Sequence, residues 1–156
     1  MTIQQMRATA QNLRQPSTEA AAEFEAKQET MAAELNRLMC ERPDVDRLVG
    51  EGNRPMMENN SRNFFRFMSS LFRAYDPEVL VETAQWVFRA YRSHGFQIAY
   101  WPANIDTAVL VLRGHLSPGA FSQCAPFFDW LIVHIPDFVK SSDETMKGDA
   151  REPSHG

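Results

Sequence analysis

Four histidines are the side chains of this sequence best suited to metal binding or proton transfer, and they stand at positions 94, 115, 134 and 155. No two of them are four residues apart, so no helix would present a pair of imidazoles to a metal. His94 and His115 fall near predicted helix ends, where the helix dipole favours a positive charge. His134 lies in an apolar segment, which predicts a buried, hydrogen-bonded residue. We expect no metal and no cofactor, with a haem held by one of these three histidines as the alternative.

Nucleophilic and acid–base groups show no catalytic arrangement. Cys124 has apolar neighbours, which is typical of an inert core thiol. Gly50 and Gly52 are not followed by the Lys-Ser/Thr pair of a phosphate loop, and no Gly-x-Ser-x-Gly elbow occurs. Asp106 and Asp129 lie on different predicted helices, where solvated or capping positions are the simpler interpretation. The sequence therefore predicts a protein that is not an enzyme.

Aromatic side chains are the compositional excess of the chain, with eleven Phe, three Trp and three Tyr, mostly between positions 64 and 138. Ordinary core packing explains many of them. Tyr and Trp also carry a polar atom that needs a partner when buried, and aromatic walls with a few polar tips are the usual form of a small-molecule site. The predicted ligand-binding residues are Tyr91, Tyr100, Trp101, Phe128 and Trp130.

Helical periodicity predicts the elements that would position these residues. Apolar residues recur at spacings of three and four, and Asp76-Pro77 and Ser117-Pro118 are helix-start signals. Strand signals are poor, since the short β-prone runs lie inside longer helical periods. We predict an all-α, globin-like helical bundle of five main helices. The first starts at Ser17, and the other four span about 55–75, 77–94, 96–116 and 118–139. A short helical turn is predicted at 43–49.

The domain organisation follows from the distribution of apolar residues. Residues 1–16 are Gln-rich and are predicted to form a flexible arm. Residues 17–140 form the predicted globin-like domain. Residues 141–156 have almost no apolar content, so a disordered polar tail is expected there.

Charge and apolar patterning exclude several partners. The net charge of −4 disfavours non-specific binding to nucleic acid, which needs a clustered cationic surface. No basic segment followed by an apolar run begins the chain, and no apolar stretch approaches the roughly 20 residues of a membrane span. Two separated cysteines, Cys40 and Cys124, suit a reducing compartment. We expect a cytoplasmic protein that binds neither nucleic acid nor a membrane.

The first long helix predicts a partner surface. Its larger apolar residues, Phe24, Met31, Leu35 and Leu38, form a narrow seam rather than a broad stripe. A narrow seam suits a contact between two helices. We therefore predict a homodimer through this helix.

Several segments resemble the amino-terminal non-haem globin domain of stressosome RsbR-type co-antagonists, in order and spacing over roughly 24–140. They are Met57–Phe65, Arg89-Ala90-Tyr91 with Gly95-Phe96, the helix through Trp101 and Ile105, and Phe127–Phe138. The resemblance implies a dimeric sensor, related to globins but without haem, that passes a signal to an attached output domain. This sequence departs from that pattern, since only a short polar segment follows Ser141. Its signal would pass to a separate protein, whose identity the sequence does not give.

These observations together predict a sensory or ligand-binding module that binds a small apolar molecule, signals to a separate protein, or does both. The site is expected between the predicted helices 77–94, 96–116 and 118–139, where Pro102 and Pro126 would bend the chain and open space. Two alternatives stay open. One is a haem- or tetrapyrrole-binding globin-like protein, and the other is a structural adaptor that binds only protein through its first helix.

Overall fold

The protein is all-α, as the sequence predicts. The computed structural model describes the backbone of residues 1–151 and the side chains of residues 1–145. This part of the chain contains helices and no strand, and none of its helices is both long and apolar enough to cross a membrane. The helices are α1 (Ile3–Ala10), α2 (Thr18–Cys40), α3 (Val45–Val49), α4 (Arg54–Arg73), α5 (Pro77–Ser93), α6 (Tyr100–His115), α7 (Pro118–Val133) and α8 (Ile135–Arg151).

The predicted helix boundaries are confirmed where side-chain caps define them. Ser17 and Ser117 each accept a hydrogen bond from the backbone N–H three residues later, which starts α2 and α7. Asp76 accepts bonds from two backbone N–H groups at the start of α5, and Pro77 occupies the first helical position. Gly95 follows α5 with a φ of +100°, a left-handed conformation that glycine adopts without strain. These local signals separate successive helices.

Helix α2 lies at the centre of the bundle and packs against α4, α6 and α7. Phe24 of α2 joins these layers. Its ring centroid lies 5.7 Å from that of Phe65 and 4.8 Å from that of Phe72, both on α4. It also lies 6.5 Å from the ring of Phe128 on α7. One aromatic cluster therefore ties three helices together.

The predicted dimer seam is wrong as a partner surface, because the chain buries it internally. Phe24, Met31 and Leu35 are completely buried within one chain, and Leu38 packs partly against the same core. The large residues alone form a narrow seam, but they are only part of the buried face of α2. The alanines beside them are also buried and let neighbouring helices approach closely, so the buried face is broad: Ala20, Ala21 and Ala32.

The predicted flexible arm at 1–16 is wrong, since α1 is a packed helix. Met6 and Ala10 are fully buried, and α1 lies against α5. The hydroxyl of Tyr75 donates a 2.6 Å hydrogen bond to the carbonyl of Ala10. Two buried residues and one long-range hydrogen bond anchor a segment whose composition is otherwise polar. Composition averaged over 16 residues hides such an anchor.

The predicted disorder of the polar tail is likewise wrong up to residue 151, because α8 continues through this segment and packs on α5. Gln85 donates a 3.0 Å hydrogen bond to the hydroxyl of Ser141, and Arg92 donates one of 2.8 Å to that of Ser142. Arg92 also forms an ion pair with Asp143. Polar side chains hold this part of α8, and they leave no apolar pattern in the sequence. The rest of the predicted tail, with His155, lies outside the described residues.

The last two predicted helices differ from the observed ones at proline positions. Pro102 falls in the first turn of α6, which begins at Tyr100 rather than at residue 96. The predicted helix 118–139 is divided at His134 into α7 and α8, and Pro136 then falls in the first turn of α8. A first turn tolerates proline because its N–H groups have no helical acceptor. Pro126, in contrast, stays inside α7.

His134 is a buried, hydrogen-bonded residue, as its apolar segment predicts. Its Nε2 lies 3.2 Å from the hydroxyl of Thr9, and its Nδ1 lies 3.0 Å from a carboxylate oxygen of Asp137. Trp130 donates its indole N–H to the same hydroxyl of Thr9 at 3.1 Å. Burial raises the pKa of Asp137, but hydrogen bonds, including that with His134, outweigh it and leave the pKa below its usual value. This cluster fastens α1 to the α7–α8 junction.

The carboxylate of Glu23 on α2 is hydrogen-bonded to the start of α7, and this contact predicts how the stability of the fold depends on pH. Glu23 accepts hydrogen bonds from the backbone N–H of Ser117 at 2.6 Å and from its hydroxyl at 2.8 Å. The backbone bond, followed by the hydroxyl bond, lowers the pKa of Glu23 below its ordinary value of 4.5. The ionised form therefore stabilises the fold above pH 4.5. That contribution is lost as pH falls through the lower, folded-state pKa.

We expect Glu23→Gln to lower the free energy of unfolding at pH 7 and to have a much smaller effect at pH 3. Urea unfolding of both proteins at the two pH values measures the difference. Glu29→Gln on an exposed position of the same helix is the matched control and should change little. Equal destabilisation by Glu23→Gln at both pH values would contradict the prediction.

Candidate ligand-binding cavity

A cavity of about 250 Å³ lies between α4, α5 and α6. It exists because α4 packs against α2, whereas α5 packs against α1 and α8, so these two helices leave space between them. Asn63 and Trp86 line it and are exposed, so the cavity opens to solvent beside them. The lining residues are Asn60, Asn63, Phe64, Phe67 and Met68 of α4, Leu80, Thr83, Ala84, Trp86, Val87, Phe88 and Tyr91 of α5, Trp101 and Ile105 of α6, and Leu131 of α7.

Helical periodicity places the lining residues of each helix on one face of that helix. On α4, Asn60, Phe64 and Phe67 follow one another at spacings of four and three. On α5, the spacing of Ala84 and Tyr91 is seven, or about two turns. Each helix therefore presents one continuous stripe to the cavity, while its other residues pack elsewhere.

Six of the fifteen described lining residues are aromatic, and several of these rings contact one another. The ring of Phe88 stacks on that of Trp101 with centroids 4.3 Å apart and planes 23° from parallel. Tyr91 meets Trp101 edge to face at 6.2 Å. Such contacts fix the orientation of the rings, so this part of the wall is formed before any ligand arrives.

Asn60 and Tyr100 form a buried polar contact at the wall of the cavity. The side-chain amide of Asn60 donates a 3.1 Å hydrogen bond to the hydroxyl of Tyr100, which is fully buried behind the wall. The rings of Tyr100 and Trp101 are 5.0 Å apart, and Trp101 in turn contacts Tyr91. The indole Nε1 of Trp101 is buried with no hydrogen-bond partner among the described residues. That nitrogen is fully enclosed, so the buried amide of Asn60 is the polar group that a ligand in the cavity would meet.

None of the lining side chains among residues 1–145 is charged. Burial raises the pKa of the Tyr100 hydroxyl well above its usual value, although the hydrogen bond from Asn60 opposes this shift. Burial also raises the pKa of Tyr91. Both phenols are neutral near pH 7, because their pKa values start from 10. An uncharged, aromatic space disfavours an ionised guest, which would lose its hydration without gaining a counter-charge.

The predicted ligand-binding residues divide into two groups. Tyr91 and Trp101 line the cavity, and Tyr100 stands directly behind it through its bond to Asn60. Phe128 does not line it; its ring packs in the core, 5.4 Å from that of Phe64. Trp130 also lies elsewhere, with its indole N–H bonded to Thr9.

The predicted location therefore needs a correction. The sequence placed the site between the last three predicted helices, but α4 supplies one of its walls and α7 contributes only Leu131. The missed residues include Asn60, Phe64 and Phe67. One sequence feature could have pointed to them, since Asn60 interrupts an otherwise apolar stripe at helical spacing from Phe64 and Phe67.

Of the histidines that the structure describes, none lines the cavity. His94 caps α5, with its Nδ1 2.8 Å from the carbonyl of Ala90, and His115 ends α6. Cys124 is fully buried, and burial raises the pKa of its thiol to about 12, so it is an inert core residue as predicted. Among residues 1–145, no three His, Cys, Asp or Glu side chains group in a way that could hold a metal ion.

Comparison with known proteins gives no relative. No family model, no curated protein and no solved structure matches this chain. The resemblance to the stressosome globin domains therefore stays a hypothesis, and a functional conclusion has to be based on the cavity itself.

Proposed function

We propose that this chain is a non-enzymatic sensory module that binds a small, uncharged, apolar molecule between α4, α5 and α6. The observation that supports the proposal is the cavity of about 250 Å³, whose described lining residues include six aromatic side chains and no charged one. A cavity of about 150 Å³ lined by apolar side chains is known to bind benzene. The space here is large enough for a guest of one or two fused aromatic rings.

The energetics of such a guest are favourable. Removing apolar surface from water contributes about 0.8 kcal/mol for each buried methylene group. Micromolar affinity corresponds to about 8.2 kcal/mol, and part of the gross gain offsets the lost freedom of the ligand. A bicyclic aromatic molecule therefore suits micromolar binding, the range in which a sensor releases its ligand readily.

Helix α5 offers a route from the cavity to a signalling partner. One of its faces lines the cavity through residues such as Ala84 and Val87. Another face holds α8 through the bond of Gln85 to Ser141 and the contacts of Arg92. A ligand that shifts α5 would shift α8 with it. We propose that α8 is the surface through which a separate protein senses occupancy, in line with the resemblance to stressosome sensors.

The alternatives that the sequence left open gain no supporting observation. A haem in this cavity would need an axial ligand, and His94, His115 and His134 do not line it. An adaptor built on the seam of the first helix would need exposed apolar residues there, but Phe24, Met31 and Leu35 are buried.

A panel of matched neutral and ionised aromatics tests the proposal. We expect naphthalene and 2-methylnaphthalene to raise the melting temperature, and 2-naphthoate at pH 7 to have no effect. A ligand that binds only the folded state at 100 times its Kd adds about 2.7 kcal/mol of stability. For a domain of this size that corresponds to a shift of roughly 5–10 °C. The reverse order, or no shift with any neutral member, would refute the proposed function.

A further inference from the structure

We propose that the ligand of this cavity is a neutral aromatic molecule with one hydrogen-bond donor, such as a phenolic hydroxyl, which donates to the side-chain carbonyl of Asn60. This inference rests on the proposed function, because it specifies what the same cavity selects. It goes further by naming the residue that sets specificity.

Asn60 is the reason to expect a donor. It is 95% buried, since its relative exposure is 5%, yet it lies on the apolar stripe of α4 that lines the cavity. A buried amide is costly unless its hydrogen bonds are made, and the Asn side chain has two N–H groups and one carbonyl to satisfy. The described residues supply one partner, the hydroxyl of Tyr100. The carbonyl oxygen Oδ1 has no hydrogen-bond partner among the described residues. It is not fully enclosed by protein atoms either, so part of its surface remains accessible.

Tyr100 engages one of the two polar atoms of the Asn60 amide. Its hydroxyl is fully buried and accepts the 3.1 Å bond from Nδ2 of Asn60. With Nδ2 held on that side, Oδ1 is the atom that remains to accept a hydrogen bond from the cavity. Tyr100 is therefore a positioning residue, and it acts on the ligand through Asn60.

The other lining residues determine the shape and polarity of the rest of the ligand. Phe64, Phe67 and Phe88 provide aromatic rings along the walls, and none of the described lining side chains is charged. A flat aromatic body with its donor at one end would place that donor at Asn60 and its apolar edge against these rings. Phenol-like compounds fit this description, and their ionised forms do not.

A three-ligand comparison on the wild-type protein tests the inference without any variant. 2-Naphthol donates and accepts a hydrogen bond, 2-methoxynaphthalene only accepts one, and 2-methylnaphthalene does neither. At pH 7 we expect 2-naphthol to bind about fivefold more tightly than the other two by isothermal titration calorimetry, the effect of one neutral hydrogen bond. Equal affinities for all three would overturn the inference while leaving the proposed function intact. Failure of all three to bind would overturn both.

Two variants then assign the preference to residues. Asn60→Leu keeps the side-chain size and removes the acceptor, so the fivefold preference should vanish while 2-methylnaphthalene keeps its affinity within about twofold. Tyr100→Phe keeps the ring and should weaken the preference only in part, because Asn60 remains but is no longer held. An undiminished preference for 2-naphthol in Asn60→Leu would overturn the assignment to Asn60. If that variant does not fold, an undiminished preference in Tyr100→Phe overturns the positioning scheme.

Discussion

Replacing Phe24 by Ala is expected to lower the free energy of unfolding by about 3–5 kcal/mol, the usual cost of deleting a buried ring. Phe24 is fully buried and its ring meets those of Phe65, Phe72 and Phe128, so the vacated space borders rigid partners from two other helices. These neighbouring rings are held by other contacts, so they cannot move far enough to fill the space that Phe24 leaves. Urea unfolding followed by circular dichroism measures the loss.

Phe121→Ala is the matched control for this prediction. Phe121 is only partly buried and lies beneath the guanidinium of Arg113, 5.3 Å from its ring centroid. The same chemical change there should cost less than half as much. If Phe24→Ala proved no more destabilising than Phe121→Ala, the central position of α2 in the bundle would be refuted.

Filling the cavity gives the second large effect. Ala84 lines the cavity near the middle of α5, and Ala84→Phe would place a phenyl ring inside it. A ring of that size occupies a cavity of about 150 Å³ in the benzene example, so about 100 Å³ of the 250 Å³ would remain, less than the cavity that benzene itself needs. We expect the stabilisation by 2-methylnaphthalene to disappear. We also expect the ligand-free protein to keep its stability or gain some, because filled cavities restore dispersion contacts.

Ala90→Phe on the same helix is the control, since Ala90 does not line the cavity. That variant should keep the ligand-induced shift in melting temperature. Retention of the shift in Ala84→Phe, measured by differential scanning calorimetry, would show that the ligand binds elsewhere. Loss of the shift in both variants would indicate a general effect of a bulky residue on α5.

Local signals in the sequence predict where helices begin, because a cap is a contact between near neighbours. Asp76 and Ser117 mark α5 and α7 correctly for this reason. The division of α7 from α8 at His134 was missed, because the apolar period runs across it. The sequence wrongly predicts that a second copy of the chain covers Phe24. Periodicity shows which face of a helix is apolar, but it does not show which element covers that face.

The candidate site was predictable only in part for a similar reason. Tyr91 and Trp101 were identified because a buried aromatic with a polar atom needs a partner. Asn60 and Phe64 were missed, since their place at the cavity depends on α4 and α5 standing apart. That separation results from packing on α2, α1 and α8, which are distant in sequence. No short window of residues contains it.

The central position of α2 also has a consequence for the order in which the chain can fold during synthesis. Phe24 has partners on α4, but Phe128, on α7, is made about a hundred residues later. At about 5–20 residues per second, that delay is roughly 5–20 s on the ribosome. Through that interval α2 can pair with α4 and later with α6, but the apolar surface that α7 covers stays open to other proteins. The bundle closes only when its last third has been translated, which makes its nascent form a natural client for chaperones.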